Sequence, residues 1–349
     1  MKKILKGLLY FILSLILLFG FFLGYNTVKD YKPEAEEVLF EGDGAVINIY
    51  DTLNFLNWNV GYCGLGSDMD FFYDGGKQTR TSEERTNENF NKIAKFLKQN
   101  DSIDFYLLQE VDQNSKRSYH MNQFSKLGKE LPDFHSYFAY NYKVLFVPVP
   151  ANDPMGKVEG GLATFCKEQP FKVKRHSFPG NYEWPKGLFM LDRCFMVKRF
   201  YTSNGKELVI INTHNSAYDT GNLRKQQMKL IREFLLAEYE KGNYVIIGGD
   251  WNQNPPKAGE KTSEHKDGHL TRIKIDNEFM PAGWQWIFSE DIPTNRMLYE
   301  PYNKETTITA VIDFYLISPN IISLAHKNVN LNFENSDHHP IFMSVLLKH

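Results

Sequence analysis

The sequence is poor in cysteine and contains no tract of biased composition. Its 349 residues include three widely separated cysteines, Cys63, Cys166 and Cys194, which form no CxxC pair. Three cysteines are too few for a disulfide scaffold, and we expect buried thiols, with one bridged pair as the alternative. Walker, GxGxxG and GxSxG motifs are also lacking, which removes the support for three common nucleotide-binding and hydrolase folds. Apolar residues make up 42% of the chain, so it is not disordered.

Positive charge is scarce after the first thirty residues. Those thirty hold four of the 40 Lys and Arg residues and one of the 42 Asp and Glu residues, which leaves a net charge of about −5 for the remainder. Sequence-independent binding to a nucleic-acid backbone requires a basic surface. The charge balance therefore disfavours that class of protein, although a local basic groove would be compatible with it.

One long apolar run lies at the N-terminus. The 22 residues between Lys6 and Lys29 carry no charge; as a helix they would extend about 33 Å, close to the thickness of a hydrocarbon core. A cleaved signal peptide is the alternative, but the run lacks a small-x-small cleavage site. For this reason we expect an uncleaved anchor, and the lysines that precede the run place the rest of the chain outside the cytoplasm. We therefore expect a cytoplasmic tip (1–6), a transmembrane anchor (7–28), a polar tether (29–45) and one catalytic domain (46–349).

Apolar segments of strand length alternate with helices after the tether. Hydrophobic periodicity predicts helices at Glu83–Lys98 and Leu223–Glu240, and Asn204-Gly205 predicts a hairpin. The predicted strands are Leu53–Trp58, Phe105–Gln109, Gly161–Cys166, Arg193–Tyr201, Glu207–Thr213, Tyr244–Gly248, Ile308–Ser318 and Ile341–Leu347. This mixture of hairpins and helices predicts an α+β fold with packed sheets and disfavours a doubly wound parallel sheet.

Polar side chains stand at the ends of these strands or within them. The segments are Trp58-Asn59, Gln109-Glu110, Asn212-Thr213-His214, Gly249-Asp250-Trp251-Asn252, Ile312-Asp313 and Ser336-Asp337-His338. Any one of them is commonplace, because strands often end in Asp or Asn turns. Together they combine carboxylates, amides and two imidazoles, which suits a hard, oxygen-preferring cation together with proton transfer.

In their order and residue types, these motifs resemble those of the endonuclease/exonuclease/phosphatase superfamily. That superfamily includes pancreatic-type deoxyribonuclease, abasic-site endonucleases, bacterial sphingomyelinases and inositol polyphosphate 5-phosphatases. The resemblance spans most of residues 46–349. It implies a four-layer αββα sandwich, in which two mixed sheets pack face to face between helices and the site lies at one end of both sheets.

The resemblance also implies a role for each matching residue. Asn59, Glu110 and Asp337 would hold Mg²⁺, with Mn²⁺ as a possible substitute. Asp250 would orient or deprotonate the attacking water, and Asn252 would bind a phosphate oxygen. His338 would act on the scissile phosphate with Asp313 fixing its tautomer, and His214 would assist the leaving group. A histidine at position 214 resembles the deoxyribonuclease and sphingomyelinase branches and disfavours the abasic-site branch.

Further residues near these motifs are weaker candidates. Arg117, Asn212 and Arg296 are candidates for contacting a substrate phosphate, whereas Arg193 is expected to be structural. The aromatic loop, residues 68–76, would form either a substrate wall or a self-packed loop. His265 and His269 have i,i+4 spacing, but the polar segment around them indicates a loop and not a metal-binding helix.

The expected function is hydrolysis of a phosphoester, most simply a phosphodiester, by direct attack of water. A lipid headgroup or other small phosphodiester fits the anchor and the acidic body. The alternatives are an extracytoplasmic nuclease acting on DNA or RNA, and an inactive, anchored binding module. The sequence predicts no protein partner.

Overall fold

The computed structural model describes residues 2–180, 182–217, 219, 222–259 and 274–348. His265 and His269 lie outside the described residues. The helices are α1 (Lys2–Lys29), α2 (Glu83–Lys98), α3 (Gln123–Glu130) and α4 (Asn222–Glu240). The strands are β1 (Glu36–Glu41), β2 (Val46–Ile47), β3 (Leu53–Asn59), β4 (Phe105–Asp112), β5 (His135–Val147), β6 (Gly156–Cys166), β7 (Lys172–Ser177), β8 (Cys194–Thr202), β9 (Glu207–His214), β10 (Tyr244–Asp250), β11 (Gln285–Ile287), β12 (Asn295–Arg296), β13 (Thr309–Ala310), β14 (Asp313–Ile317), β15 (Ile321–Asn328) and β16 (Ile341–Leu347).

The strands form two mixed sheets and one short ladder. The first sheet has the order β1-β7-β8-β9-β10-β14-β11, with β2 beside β8, and the second has the order β15-β16-β3-β4-β6-β5. Strands β9 and β10 are parallel, and so are β3 and β4, whereas most other neighbours are antiparallel. Strands β12 and β13 pair separately. The predicted α+β class is confirmed.

Apolar side chains of the two sheets meet in a central layer. Phe55 and Leu107 of the second sheet belong to the same buried cluster as Met196, Ile210 and Ile246 of the first. Helices α2 and α3 cover the outer face of the second sheet, and α4 covers the outer face of the first. The layers therefore follow the order helix, sheet, sheet, helix, as the resemblance implies.

Both helices predicted from periodicity are present. Helix α2 has the predicted bounds, and α4 begins one residue earlier than predicted. The Ser82 hydroxyl caps α2 by accepting a hydrogen bond from the Arg85 amide at 3.1 Å. Ile93 and Leu97 bury the apolar face of α2. Gly242, at φ +83°, lies just beyond the end of α4 in a conformation that other residues rarely adopt.

Two of the segments described from the sequence have a different structure from the one expected. Residues 29–45 are only partly a tether, because β1 pairs with β7 at the edge of the first sheet. Ion pairs reinforce this edge, with Lys174 Nζ 2.7 Å from Glu36 Oε2. Residues 308–318 form two short strands, β13 and β14, and not one strand. Main-chain pairing across the sheet overrides local composition in both places.

Helix α1 carries the apolar N-terminal run. It is long and apolar enough to cross a membrane or to act as a signal sequence. Its last turns contact the rest of the chain. Phe22 stacks on Phe189, with ring centroids 5.9 Å apart, and meets Phe146 edge-on at 6.2 Å. Trp184 Nε1 donates a hydrogen bond to Thr27 Oγ1 at 3.1 Å.

The three cysteines are buried and unpaired, so the alternative of a bridged pair is wrong. Cys166 and Cys194 donate weak hydrogen bonds to main-chain carbonyls. Burial raises the pKa of the Cys166 thiol to about 12 and that of Cys194 to about 11. Both thiols are therefore protonated at neutral pH and act as small core residues.

Lys198 is an ionisable group buried between the sheets. Its Nζ donates hydrogen bonds to Thr164 Oγ1 at 2.9 Å and to the Met196 carbonyl at 3.2 Å. Burial lowers its pKa to about 7, from an ordinary value of 10.5. Between these two values the unfolded chain binds more protons than the folded chain, so this residue makes the free energy of unfolding rise with pH.

We expect Lys198→Met to remove this pH dependence. The variant should have its largest stability advantage over the wild type at pH 7 and below. That advantage should shrink towards pH 10 by up to about 1.4 kcal/mol per pH unit. Denaturant unfolding of both proteins in detergent at several pH values measures the difference. The exposed Lys304→Met is the control, and a pH-independent difference for Lys198→Met would contradict the assignment.

Candidate active site

Polar side chains from both sheets converge at one end of the sandwich. Asn59 ends β3 and Glu110 lies near the end of its parallel neighbour β4. His214 and Asp250 end β9 and β10, and the register places them side by side. Asp313 begins the antiparallel strand β14 directly opposite Asp250. Strand direction and register therefore bring together residues that lie far apart in the sequence.

The Asn59 side chain links the two sheets. Its Nδ2 donates a hydrogen bond to Asp250 Oδ2 at 3.0 Å and lies 3.4 Å from Glu110 Oε1. Its Oδ1 accepts a hydrogen bond from the Gly61 amide at 3.0 Å. The amide is thus oriented by main-chain contact on one side and by two carboxylates on the other.

Glu110 is turned out of its strand by a bulge. The pairing of β4 with β6 shifts between Leu108 and Val111, and Glu110 has φ +54°. Bulges next to active sites commonly redirect a side chain in this way. Gln109 and Val111 on either side are fully buried, whereas the Glu110 side chain remains 24% exposed. Its carboxylate is therefore accessible from the cleft described below.

Asp250 lies between two imidazoles. Its Oδ2 is 3.4 Å from His214 Nε2 and 3.7 Å from His338 Nε2. Burial and the neighbouring Asp313 carboxylate raise the pKa of Asp250 to about 6, so it is ionised at neutral pH. Burial and the nearby Arg193 charge hold the pKa of His214 well below its ordinary value, which keeps that ring neutral.

His338 and Asp313 form a buried pair. His338 Nδ1 lies 2.7 Å from Asp313 Oδ2, and the Asn295 amide lies 3.0 Å from His338 Nε2. Burial alone would lower the pKa of His338, but Asp313, Asp337 and Asp250 outweigh it and raise the pKa to about 10. His338 is therefore a cation at neutral pH, with Nδ1 donating to Asp313. Its Nε2–H faces the Asn295 side chain, which presents its amide oxygen to the protonated ring, and lies 3.7 Å from Asp250 Oδ2.

These groups open into a cleft of about 1790 Å³. Glu110, Asp250 and His338 lie in its lining, and so do Phe72 and Tyr73 of the aromatic loop. The rings of Phe72 and Tyr73 also contact each other, with centroids 4.2 Å apart. The aromatic loop thus packs on itself and forms a wall of the cleft at the same time.

The sequence profile of the Endonuclease/Exonuclease/phosphatase family matches residues 56–338. The matched span runs from just before Asn59 to His338 and includes every polar strand-end motif. The chain belongs to this family. Its members hydrolyse phosphoester bonds and generally use divalent metal ions.

Solved structures of the endonuclease/exonuclease/phosphatase family share the fold. A family member from Beutenbergia cavernae is 16% identical, with a TM-score of 0.57 over 85% of this chain and 72% of its own. The 2′,3′-cyclic phosphatase ANGEL2, in complex with adenosine-2′,3′-vanadate, is 16% identical, with a TM-score of 0.54 over 89% and 99%. A mannosyl-6-phosphatase from Bacteroides thetaiotaomicron is 13% identical, with a TM-score of 0.52 over 84% and 100%. Curated protein sequences give no significant match.

The donor set predicted to hold a metal fits the hard divalent cations that the family uses. Glu110 and Asp337 offer carboxylate oxygens, which Mg²⁺ prefers. Asn59, predicted as the third donor, turns its Nδ2 and not its Oδ1 towards Glu110 in this structure. Asp337 Oδ1 is buried without a hydrogen-bond partner, and burial with the nearby Glu110 charge raises the pKa of Asp337 to about 7. A Cβ atom on Gly61 would approach Asp337 Oδ1 to 2.8 Å, so glycine leaves room at this oxygen. A cation would balance this crowded negative charge.

A different group in the described part of the chain brings three ligand-type atoms within 4.8 Å of one another. It consists of Asp250, Asp313 and His338. The short contact between His338 Nδ1 and Asp313 already occupies two of these atoms, and His338 is a cation. We therefore interpret this group as a proton-transfer unit beside the metal donors.

The residues predicted to contact substrate make structural contacts. Arg117 Nε and Nη2 donate to Asp112 at 3.0 and 2.9 Å. Arg296 donates to main-chain carbonyls, including those that anchor the aromatic loop. Asn212 lies in the core, where its Nδ2 donates to carbonyls of β4 and β6.

Asn252 lines the cleft, and its main-chain amide donates to Asp250 Oδ1 at 2.9 Å. Arg117 and Arg296 border the cleft, whereas Asn212 does not.

Arg193 is a candidate that the sequence did not indicate. It lies immediately before β8 and lines the cleft, where its charge interacts with those of Glu110 and Asp250. Its Nη1 is buried without a hydrogen-bond partner. A buried, unpaired guanidinium nitrogen beside a phosphoesterase site is suited to bind a phosphate oxygen. The sequence around Arg193 does not indicate phosphate binding, because the acids near it in the structure come from distant segments.

We expect Arg193→Gln to raise KM by roughly 10–100-fold with a smaller effect on kcat, since it removes a charge-assisted hydrogen bond to the substrate. Steady-state kinetics on a soluble phosphodiester measures this split. The exposed Arg232→Gln is the matched control. An unchanged KM would indicate that Arg193 is structural and does not bind the substrate.

Proposed function

We propose that the protein is a Mg²⁺-dependent phosphoesterase, chiefly a phosphodiesterase, that acts on a lipid headgroup or another small phosphodiester. The observation that carries the proposal is the convergence of Glu110, Asp250, His214 and the His338–Asp313 pair in one cleft. Mg²⁺ or Mn²⁺, held by Glu110, Asp337 and, once its amide turns over, Asn59, would offset negative charge on the phosphate. Family membership supports phosphoester hydrolysis, whereas the metal and the substrate are proposals.

The protonation states support direct attack by water. The Asp250 carboxylate is ionised at neutral pH and can accept a proton from the attacking water. The water oxygen would bond to phosphorus as the P–O bond to the leaving group breaks. His338, as a cation, would stabilise the phosphate oxygens, and the neutral His214 would hydrogen-bond the leaving oxygen. The leaving oxygen takes up one proton from solvent, and Asp250 afterwards returns the proton of the attacking water to solvent, so the protons balance. Asn252 and Arg193 would position the phosphate.

The substrate class is supported by the remainder of the chain. The acidic body disfavours tight binding to a nucleic-acid backbone. Helix α1 is suited to anchor the protein in a membrane, with the cleft outside the cytoplasm by the distribution of lysines. A nuclease is the second candidate, because His214 resembles the deoxyribonuclease branch and ANGEL2 was solved with a nucleotide analogue.

Purified full-length protein in detergent tests the proposal. With Mg²⁺ or Mn²⁺ it should hydrolyse bis(p-nitrophenyl) phosphate faster than p-nitrophenyl phosphate, and EDTA should abolish the activity reversibly. Duplex DNA and headgroup-labelled phospholipids, assayed side by side, separate the two substrate classes. Absence of all hydrolysis with either metal would favour the inactive binding module.

A further inference from the structure

The end of α1 lies against an exposed apolar surface. We call this surface the apolar rim; it consists of the exposed Leu145, Phe146, Val149 and Trp184 and the half-buried Phe189. Leu145, Phe146 and Val149 belong to the end of β5 and the turn after it, and Trp184 and Phe189 belong to the segment before β8. Such a cluster of exposed apolar residues is unusual on a soluble surface and generally marks a site of interaction.

The apolar rim is level with the apolar part of α1. Phe22, which contacts both Phe146 and Phe189, lies seven residues before Lys29, or about 10 Å along the helix axis. The uncharged run continues to Val28. A bilayer that surrounds α1 as far as Val28 therefore also reaches the rim. Trp184 is 64% exposed at this level, which suits the layer between headgroups and acyl chains.

The cleft opens at the same place. Residues 30–33, which follow α1 directly, line the cleft together with Glu110 and His338. Val149 and Phe189 belong both to the apolar rim and to the lining. A molecule held in the outer leaflet by its acyl chains would thus meet the mouth of the cleft without leaving the bilayer.

We propose that the apolar rim inserts into the surface of the bilayer that carries α1, and that the substrate is a phospholipid of the same leaflet. The substrate assignment rests on the phosphoesterase activity proposed above. In the reaction, water oxygen bonds to the lipid phosphorus and one P–O ester bond breaks, with the departing alcohol oxygen taking up a proton. The acyl chains remain in the leaflet while the phosphate lies in the cleft.

Tryptophan quenching tests the insertion independently of activity. The full chain is reconstituted in phosphatidylcholine vesicles with bromine near the headgroup end of the acyl chains. Trp58, Trp251 and Trp284 are buried and Trp286 is half-buried, so Trp184 should account for most of the lipid-dependent quenching. We expect Trp184→Phe to lose most of that quenching. Equal quenching in both proteins, or none in the wild type, would overturn the insertion.

Vesicle kinetics test the substrate. Phe146→Asn should lower hydrolysis of headgroup-labelled phosphatidylglycerol in phosphatidylcholine vesicles by at least about tenfold. Turnover of soluble bis(p-nitrophenyl) phosphate should be unchanged, because Phe146 does not line the cleft. The control is Leu324→Asn, which removes a 52% exposed leucine from β15 at the opposite edge of the second sheet.

The outcomes separate the two proposals. If the soluble diester is not hydrolysed, the proposed function fails and the lipid substrate fails with it, whereas quenching still decides the insertion. If the soluble diester is hydrolysed but vesicle lipids are not, the lipid substrate is wrong. The lipid substrate is also wrong if Phe146→Asn loses the same fraction of its activity on both substrates. The same holds if Leu324→Asn loses as much lipid hydrolysis as Phe146→Asn does.

Discussion

Replacing Glu110 with glutamine is expected to lower kcat by at least roughly 10²–10³-fold while leaving the melting temperature of the metal-free protein unchanged. The loss follows because the substitution removes one of two carboxylates in the proposed metal donor set. Stability should be unaffected, since the side chain lines the cleft and remains 24% exposed. Glutamine keeps the length of the side chain and the strained backbone.

Two measurements complete this prediction. The protein without added metal and the protein with excess Mg²⁺ are compared in thermal denaturation, and Glu110→Gln should lose the increase in melting temperature that the ion gives the wild type. Glu183→Gln, an exposed glutamate of the segment that carries Trp184, is the control. Metal-dependent turnover close to that of the wild type would refute the role of Glu110.

Asp313→Asn is expected to lower kcat by roughly 10²–10⁴-fold with little change in KM. Three carboxylates raise the pKa of His338, and the nearest, at 2.7 Å, is that of Asp313. Removing it lowers the pKa of His338, so the alkaline limb of the pH profile should move to lower pH. Steady-state kinetics from pH 6 to about 10.5 measures both effects.

The matched control for this variant is Asp104→Asn. Asp104 is a partly buried aspartate that pairs with Lys167 before the start of β4, at the end of the strand away from the cleft. It should leave kcat and the pH profile unchanged. If Asp313→Asn lowers stability without moving the alkaline limb, Asp313 supports the core and does not tune His338.

The sequence predicted the segments whose side chains follow one simple period. Helix α2 was predicted residue for residue, because four apolar positions, Phe90, Ile93, Ala94 and Leu97, recur at helical spacing. The central strands were predicted because they are buried on both faces and read as apolar runs. The edge strands β1, β5 and β15 were not predicted, because an edge strand faces water and its sequence mixes charged with apolar residues.

The site was predicted through its motifs but not through its contacts. Asn59, Glu110, His214, Asp250, Asp313, Asp337 and His338 do converge, as the order of the motifs implied. Burial lowers the pKa of both His214 and His338, and their different charge states come from charged neighbours that lie mostly on other strands. Both Arg193 and Arg296 border the cleft, but Arg296 donates to main-chain carbonyls whereas Arg193 Nη1 has no hydrogen-bond partner, and only tertiary contacts decide this difference.

The short connection between α1 and β1 limits where the protein can work. Six residues separate Lys29 from Glu36, and even fully extended they span only about 20 Å. With α1 in a bilayer, the catalytic body is therefore confined to a thin layer above it. Its rate would follow the number of substrate molecules per unit area of membrane, and a dissolved diester would have to enter that layer before it could compete.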